Sequence, residues 1–303
     1  MTRYLYYKYK LENLKTRFLT WPIFRITDRK SVQCLKRNSY FKNKYYGQRC
    51  FIIGNGPSLA NVDLSILRDE YTFSVNQASR SPQYKELRTN FHIWIDSVFF
   101  KIDPEKEEEA EVLRVMKSMK TGDYMPTVFF PIDRYSFAGK YGLDSIFDIY
   151  YLKGDYRFLP DMRDIDYSKI GPKFSTVVQY CIGMAIFMGF RDIYLVGCDN
   201  TGIINDINSF MKVDSSEYSY EVSSNEKNRR ENSVKKKGLY PYVLSYLNVL
   251  FGYESLFKYC ERRGINLMNC TKYSAIEMIP HADLSDVLGG HNHSVEENCC
   301  GDF

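Results

Sequence analysis

The sequence predicts an α/β fold: a mostly parallel sheet with helices on both faces and a lid insertion. Three observations carry this reading. Short apolar runs such as Cys50–Ile53, Tyr71–Val75 and Arg191–Val196 have the length and the aromatic and β-branched content of buried strands. Longer amphipathic or wholly apolar stretches alternate with them, as in layered α/β chains. Successive runs also end on a polar residue (Asn55, Asn76, Asp96 and Asp199), and in an open parallel sheet the carboxyl ends of the strands are where ligands bind.

With 303 residues the chain can bury a substantial core, and one large domain with attachments is expected. Its eight cysteines (Cys34, Cys50, Cys181, Cys198, Cys260, Cys270, Cys299 and Cys300) lack paired spacing, which fits reduced thiols in a cytosolic compartment. No apolar run is long enough to cross a bilayer, and no export signal opens the sequence. A cytoplasmic location is expected, with the possibility of peripheral attachment to the inner face of the cell membrane. The net charge of +4 hides an asymmetry. Residues 1–49 hold 13 Lys/Arg against 2 Asp/Glu, whereas the rest hold 28 against 35.

That basic arm, residues 1–43, begins with a helical pattern on Leu11, Leu14 and Phe18, surrounded by tyrosines and lysines and ended by Pro22. A basic, tyrosine-rich amphipathic helix suits an anionic membrane surface; a helix packed on the domain is the alternative. No nucleic-acid-binding motif follows it, so no nucleic-acid partner is expected.

The main domain spans residues 44–284. Its first strand, Cys50–Ile53, runs into Gly54-Asn55-Gly56-Pro57-Ser58, a turn whose N–H groups and following helix favour a phosphate or carboxylate. This is neither a P-loop nor a dinucleotide fingerprint, because the Lys-Ser/Thr and the third glycine are missing and Pro57 removes a donor. Asp63–Glu70 suits a short helix. The second strand ends in Asn76-Gln77 and the third, Phe91–Asp96, in Asp96, so Asn55, Asn76 and Asp96 are expected to converge on one crevice. Residues 104–119 read as a helix whose acidic start complements its dipole. Thr127–Pro131 and Ile149–Leu152 read as strands, and Asp161, Asp164 and Asp166 as turn residues, since the pattern lacks the glycine and glutamate of a calcium loop.

Ser175 is expected to cap a buried helix that Gly189 ends, and Arg191–Val196 to lead as a strand into Gly197-Cys198-Asp199-Asn200. Ser175 and Thr176 then stand at a helix N-terminus, suited to an anion, and Asp199 at a strand end, suited to ribose hydroxyls. Residues 201–237 are polar and without periodicity, which marks either a disordered segment or a lid over the site; the lid is favoured because the segment follows directly on Asp199. Tyr240–Arg263 reads as a long helix, Ile265–Cys270 as a strand, and residues 285–303 as a flexible tail. His291, His293, Cys299 and Cys300 do not have the spacing of a zinc site, and no metal ligand set is assigned.

Gly54-Asn-Gly-Pro-Ser-Leu59, then Asn76-Gln77, the buried helix and Ile193-Tyr-Leu-Val-Gly-Cys-Asp199 resemble the domain-of-unknown-function-115 group. That group takes in the 6-hydroxymethylpterin pyrophosphokinase-like proteins, motility accessory factors and proteins of polysaccharide loci. The same order of motifs is similar to the sialyltransferases of glycosyltransferase family 42. The resemblance runs from about Lys44 to Leu284 and implies a Rossmann-like sheet that binds a nucleotide-activated sugar, most plausibly a CMP-linked nonulosonic acid. It puts Gly54, Asn55, Gly56, Pro57 and Ser58 at the donor phosphate and sugar, Asn76 and Gln77 at the nucleotide, and Gly197, Cys198, Asp199 and Asn200 at the ribose. Asp96 stands where the sialyltransferases have an asparagine, and Ser175/Thr176 near a Thr-Ser pair that faces the donor carboxylate.

What the resemblance implies for the whole chain is a metal-independent glycosyltransferase, without a cofactor, acting on a glycan or lipid-linked acceptor. Such a transfer needs a general base, and the family's histidine position reads Asn208-Ser209-Phe210. Asp206, Asp214, Glu217 and His281 are the candidates for that role, and Tyr218 and Tyr220 for protonating the leaving phosphate. The alternatives are an ATP-dependent pyrophosphokinase-like enzyme, with Mg2+ between Asp96 and Asp199, and an inactive nucleotide-binding protein.

Overall fold

The computed structural model describes residues 2–101, 106–203, 224 and 239–289. The chain opens with helix α1 (Thr2–Lys15), a π-helical turn (Thr16–Thr20) and α2 (Trp21–Thr27). Pro22 was expected to end this helix, yet helicity continues to Thr27. Its ring would press on the carbonyl of Phe18 and it lacks an N–H, so the preceding turn widens to a π turn. Pro22 then sits in the first turn of α2, where no N–H is needed.

Helix α3 (Arg29–Lys36) starts at Asp28, whose carboxylate accepts the Ser31 N–H at 3.0 Å. Leu35, Asn38 and Phe41 are buried, with Asn38 donating to the carbonyls of Tyr151 and Tyr167 and Phe41 packed on Phe91, Phe129 and Tyr150. The stretch 29–41, expected within the arm, is therefore part of the domain.

The strands are β1 (Arg49–Ile53), β2 (Tyr71–Val75), β3 (Phe91–Ile93), β4 (Thr127–Pro131), β5 (Ile149–Leu152), β8 (Asp192–Val196) and β9 (Asn266–Asn269). All pair in parallel, in the order β5-β4-β3-β2-β1-β8-β9. The fold is a Rossmann-like parallel sheet with helices on both faces.

The period of two sorts the side chains between the layers. Cys50, Ile52, Phe73, Phe129, Ile193 and Leu195 face α7 (Val177–Met188) and α8 (Leu239–Arg263). Val128, Phe130, Ile149 and Tyr151 point the other way, toward α5 (Glu107–Lys117) and α6 (Tyr135–Lys140). Phe51, Ile53 and Val196 share that second face with Leu59, Leu64 and Leu67. Between these two clusters run buried polar residues, Thr72, Ser74, Thr89 and His92, beside the short helix α4 (Tyr84–Leu87).

Three expectations shift, and one element was not expected. The segments after β1 form two short 3-10 turns, Pro57–Asn61 and Leu64–Leu67, in place of the expected helix. Ser175 was expected to cap α7, but Thr176 does. A two-stranded parallel sheet, β6 (Gly154–Arg157) with β7 (Gly171–Lys173), had no apolar alternation to announce it. The start of the expected tail forms a six-residue helix, α9 (Leu284–Gly289), with Leu284, Val287 and Leu288 packed on the β1 cluster. No helix among the described residues is long and apolar enough to cross a membrane.

Candidate functional site

The strand order places β2 to β5 on one side of β1 and β8 and β9 on the other, so β1 and β8 flank the point where the winding reverses. In sheets of this kind the crevice outside the carboxyl ends at that point receives the ligand. Two turns meet there, Gly54–Ser58 after β1 and Gly197–Asn200 after β8. They are tied together, Gly54 N–H donating to the Val196 carbonyl at 2.8 Å and Gly56 N–H to the Gly197 carbonyl at 2.9 Å.

Asp199 completes the lock. It is 5 % exposed, and its two oxygens accept the Ser58 N–H at 3.1 Å and the Ser58 hydroxyl at 2.7 Å. Pro57 has no N–H, so Ser58 offers the donor at the start of the 3-10 turn. The anion that this turn attracts is thus the protein's own carboxylate. The glycines follow from the same packing. A Cβ at Gly56 would lie 1.8 Å from Asp199 Oδ2, and one at Gly54 2.2 Å from the Gly197 carbonyl oxygen.

Beyond β2, Asn55 Nδ2 donates to the Val75 carbonyl at 3.1 Å and holds the first two strand ends together. Asn76 adopts a left-handed backbone (φ 44°), and its Oδ1 is buried without a hydrogen-bond partner among the described residues. Its carbonyl accepts from His92 Nε2 at 2.7 Å. A carbonyl can only accept, so Nε2 carries the proton and Nδ1 is left as the acceptor, within hydrogen-bond distance of the hydroxyls of both Ser74 (2.8 Å) and Tyr84 (2.9 Å). Burial pushes the His92 pKa down to about 3, so the ring is neutral. Gln77 is buried and accepts from Arg80 Nε at 2.5 Å, which turns it toward α5 through the Arg80–Glu111 ion pair.

Across the crevice, α7 begins at Thr176, whose hydroxyl accepts the Gln179 N–H at 3.3 Å while Gln179 Oε1 accepts the Ser175 N–H at 3.0 Å. This is a capping box shifted by one residue on the Thr-x-x-Gln pattern. Helix α8 lies against it: Tyr253 OH is 3.3 Å from the Thr176 hydroxyl, and Gln179 Nε2 donates to the Val249 carbonyl at 2.7 Å. Asn200, also left-handed (φ 56°), exchanges hydrogen bonds with Tyr246 OH, both at 3.0 Å. Burial raises the Tyr246 and Tyr253 pKa values, so both are neutral hydroxyls.

Other expected residues lie elsewhere or are already engaged. Cys198 is buried with its thiol against the Ile52 and Val196 carbonyls, its N–H on Thr271 Oγ1 and its carbonyl on the Ser274 hydroxyl. Asp96 is exposed and accepts the Val98 N–H at 3.1 Å, heading the turn Ser97–Phe100. His281 bridges to Asn269 on the outer side of β9, three strand spacings or roughly 14 Å from β1. Asp206, Asp214, Glu217, Tyr218 and Tyr220 lie outside the described residues, as does nearly all of the expected lid.

Sequence reading missed His92, Gln179, Tyr246, Tyr253, Thr271 and Ser274. Only Gln179 carried a local signal, its capping-box spacing from Thr176. Around the two turns the described edge is lined by amides and hydroxyls, and the Asp199 carboxylate there is engaged by Ser58. Among the described residues no three His, Cys, Asp or Glu side chains come together.

Residues 29–205, from the start of α3 through the turn after β8, match the family described as 6-hydroxymethylpterin diphosphokinase MptE-like. The chain belongs to that MptE-like family. A search of curated proteins returns no match. Among solved structures, the MptE-like chain is similar to the sialyltransferase CstII from Campylobacter jejuni in complex with CMP-3FNeuAc, at 18% identity and a TM-score of 0.42 over 78% of this chain and 86% of that one. CST-II in complex with a trisaccharide acceptor and CMP gives 18% identity and a TM-score of 0.41 over the same 78% and 86%.

Proposed function

We propose that this MptE-like chain is an enzyme that binds a nucleoside triphosphate over the β1–β8 switch point and transfers its terminal diphosphoryl group to the hydroxyl oxygen of a hydroxymethyl-bearing heterocycle, releasing the nucleoside monophosphate and the hydroxyl proton, the chemistry in the family's description. The observation that carries this is the position of the two locked turns at the point of reversal, within the matched residues 29–205. Asn76 supports it: its Oδ1 is a buried acceptor without a partner among the described residues, and turning the amide toward the crevice would let it accept an N–H of a nucleobase and relieve the cost of leaving that oxygen unsatisfied. In this reading Asp199 acts by positioning the β1 turn. The cation of a diphosphoryl transfer would enter with the nucleotide's own phosphates.

A second reading, transfer of a sugar from a CMP-linked nonulosonic acid to a glycan or lipid-linked acceptor, is favoured by the amides and hydroxyls of Asn55, Asn76, Thr176, Asn200 and Tyr246 around the two turns, which suit a donor that needs no protein-held cation. Calorimetric titration with ATP, CMP, UDP and GDP, each with and without Mg2+, separates the two. Binding of ATP that requires Mg2+ is the expected result. Metal-independent binding of CMP in preference would replace it with sugar transfer, and binding of none would overturn both.

A further inference from the structure

Helices α1 and α2 carry an exposed apolar stripe that the fold holds outward. Tyr4, Tyr7 and Leu11 are each 63–69 % exposed and Leu14 47 %, at the alternating three- and four-residue spacing of one helix face. Viewed down α1 these four lie within about 40° of one line, with Lys8 and Lys15 about 60–80° to one side and Arg3 and Lys10 about 60–80° to the other.

The π turn adds a residue, and the stripe adjusts to it. Phe18 closes the first register at 66 % exposure, and Leu19, Ile23 and Ile26 resume the spacing one residue later, at 56 %, 58 % and 73 %. The widened turn before Pro22 therefore keeps one apolar line running from Tyr4 to Ile26.

The opposite side of α1 cannot exchange places with it. Asn13 is paired with the backbone of Arg157 in β6 through both amide atoms, at 2.7 and 2.8 Å. Tyr9 is buried edge-on against Phe251 and hydrogen-bonded to Asn248, and Tyr6 donates to Asp161 at 2.7 Å. Basic residues dominate the exposed part of this arm: six Lys/Arg against one Asp/Glu in residues 2–27. A second copy of the same face would bring those cations together, whereas an anionic bilayer would neutralise them while taking the stripe into its headgroup region.

We infer that α1 and α2 form a fixed membrane-docking face that seats the protein on an anionic lipid surface. Tyr4, Tyr7, Leu11, Leu14, Phe18, Leu19, Ile23 and Ile26 enter the interface, and Arg3, Lys8, Lys10 and Lys15 reach lipid phosphates from either flank.

The test is co-sedimentation of the full-length protein with vesicles of phosphatidylcholine alone or mixed with phosphatidylglycerol. Binding to the anionic vesicles only, weakening as salt is raised, is expected. Leu11→Glu with Phe18→Glu should lower partitioning about tenfold or more, and Lys8→Gln with Lys15→Gln about fivefold per residue removed. These side chains are exposed, so unchanged thermal unfolding and nucleotide titration of the variants separate loss of docking from loss of fold or of the site. Equal binding to neutral vesicles, or binding to neither, would overturn the inference. A concentration-dependent dimer in the absence of lipid, abolished by Leu11→Glu, would assign the stripe to a second copy instead.

Discussion

A methyl group at position 56 has nowhere to go. With its Cβ 1.8 Å from Asp199 Oδ2, Gly56→Ala must expel the carboxylate from Ser58 and break two charge-assisted hydrogen bonds. We expect a loss of about 2–4 kcal/mol in denaturant unfolding, against about 1–2 for Ser58→Ala, which removes the hydroxyl alone. Equal stability of Gly56→Ala and the native protein would show that the two turns are not locked. His92 supplies a second residue-scale test. Its folded pKa is depressed to about 3 by burial, below the usual 6.5, so the unfolded chain binds the extra proton and stability is lost as pH falls. Between pH 6.5 and 5, where most carboxylates are still ionised, this histidine should cost about 1.6 kcal/mol of stability in all, the slope growing toward about 1.4 kcal/mol per pH unit as the unfolded form protonates. His92→Gln should flatten that slope; a native protein equally stable at both pH values would contradict the buried neutral ring.

At the scale of elements, runs of apolar residues located the strands of the large sheet, and the all-apolar stretch after Thr176 located α7, because burial on both sides leaves a mark in composition. The small sheet of β6 and β7 was illegible, since Gly154, Gly171 and Pro172 pair by backbone geometry and carry no alternating pattern. Pro22 misled for a related reason: a proline forbids one hydrogen bond, and a π turn can do without it. The start of α7 illustrates how such details bear on stability. Thr176→Val keeps the shape but removes the cap and the partner of Tyr253 OH, so a loss of about 1 kcal/mol is expected, with Thr176→Ser retaining most of it. Comparable unfolding midpoints for the valine and serine variants would mean that the hydroxyl does not cap the helix.

For the molecule as a whole, the sequence by itself determined that the sheet is parallel and layered, that polar residues stand at strand ends, and that basic charge is gathered in the first 49 residues. Each is written locally, in the length of a run, the residue that follows it, or a count of charges. Only the tertiary structure decided which ends meet. The order β5-β4-β3-β2-β1-β8-β9 sets the Gly54–Ser58 turn beside Asp199, about 140 residues later, and gives it an internal anion. The same packing places His281 at the outer edge, sends Cys198 into the core, supports Asn76 from beneath with His92, and turns the arm's apolar stripe outward by fixing Tyr9 and Asn13 on the domain. The physical reason is that hydrogen-bonding capacity and apolar surface belong to each residue, but the partner that satisfies them is chosen by strand order and helix packing among residues distant in the chain.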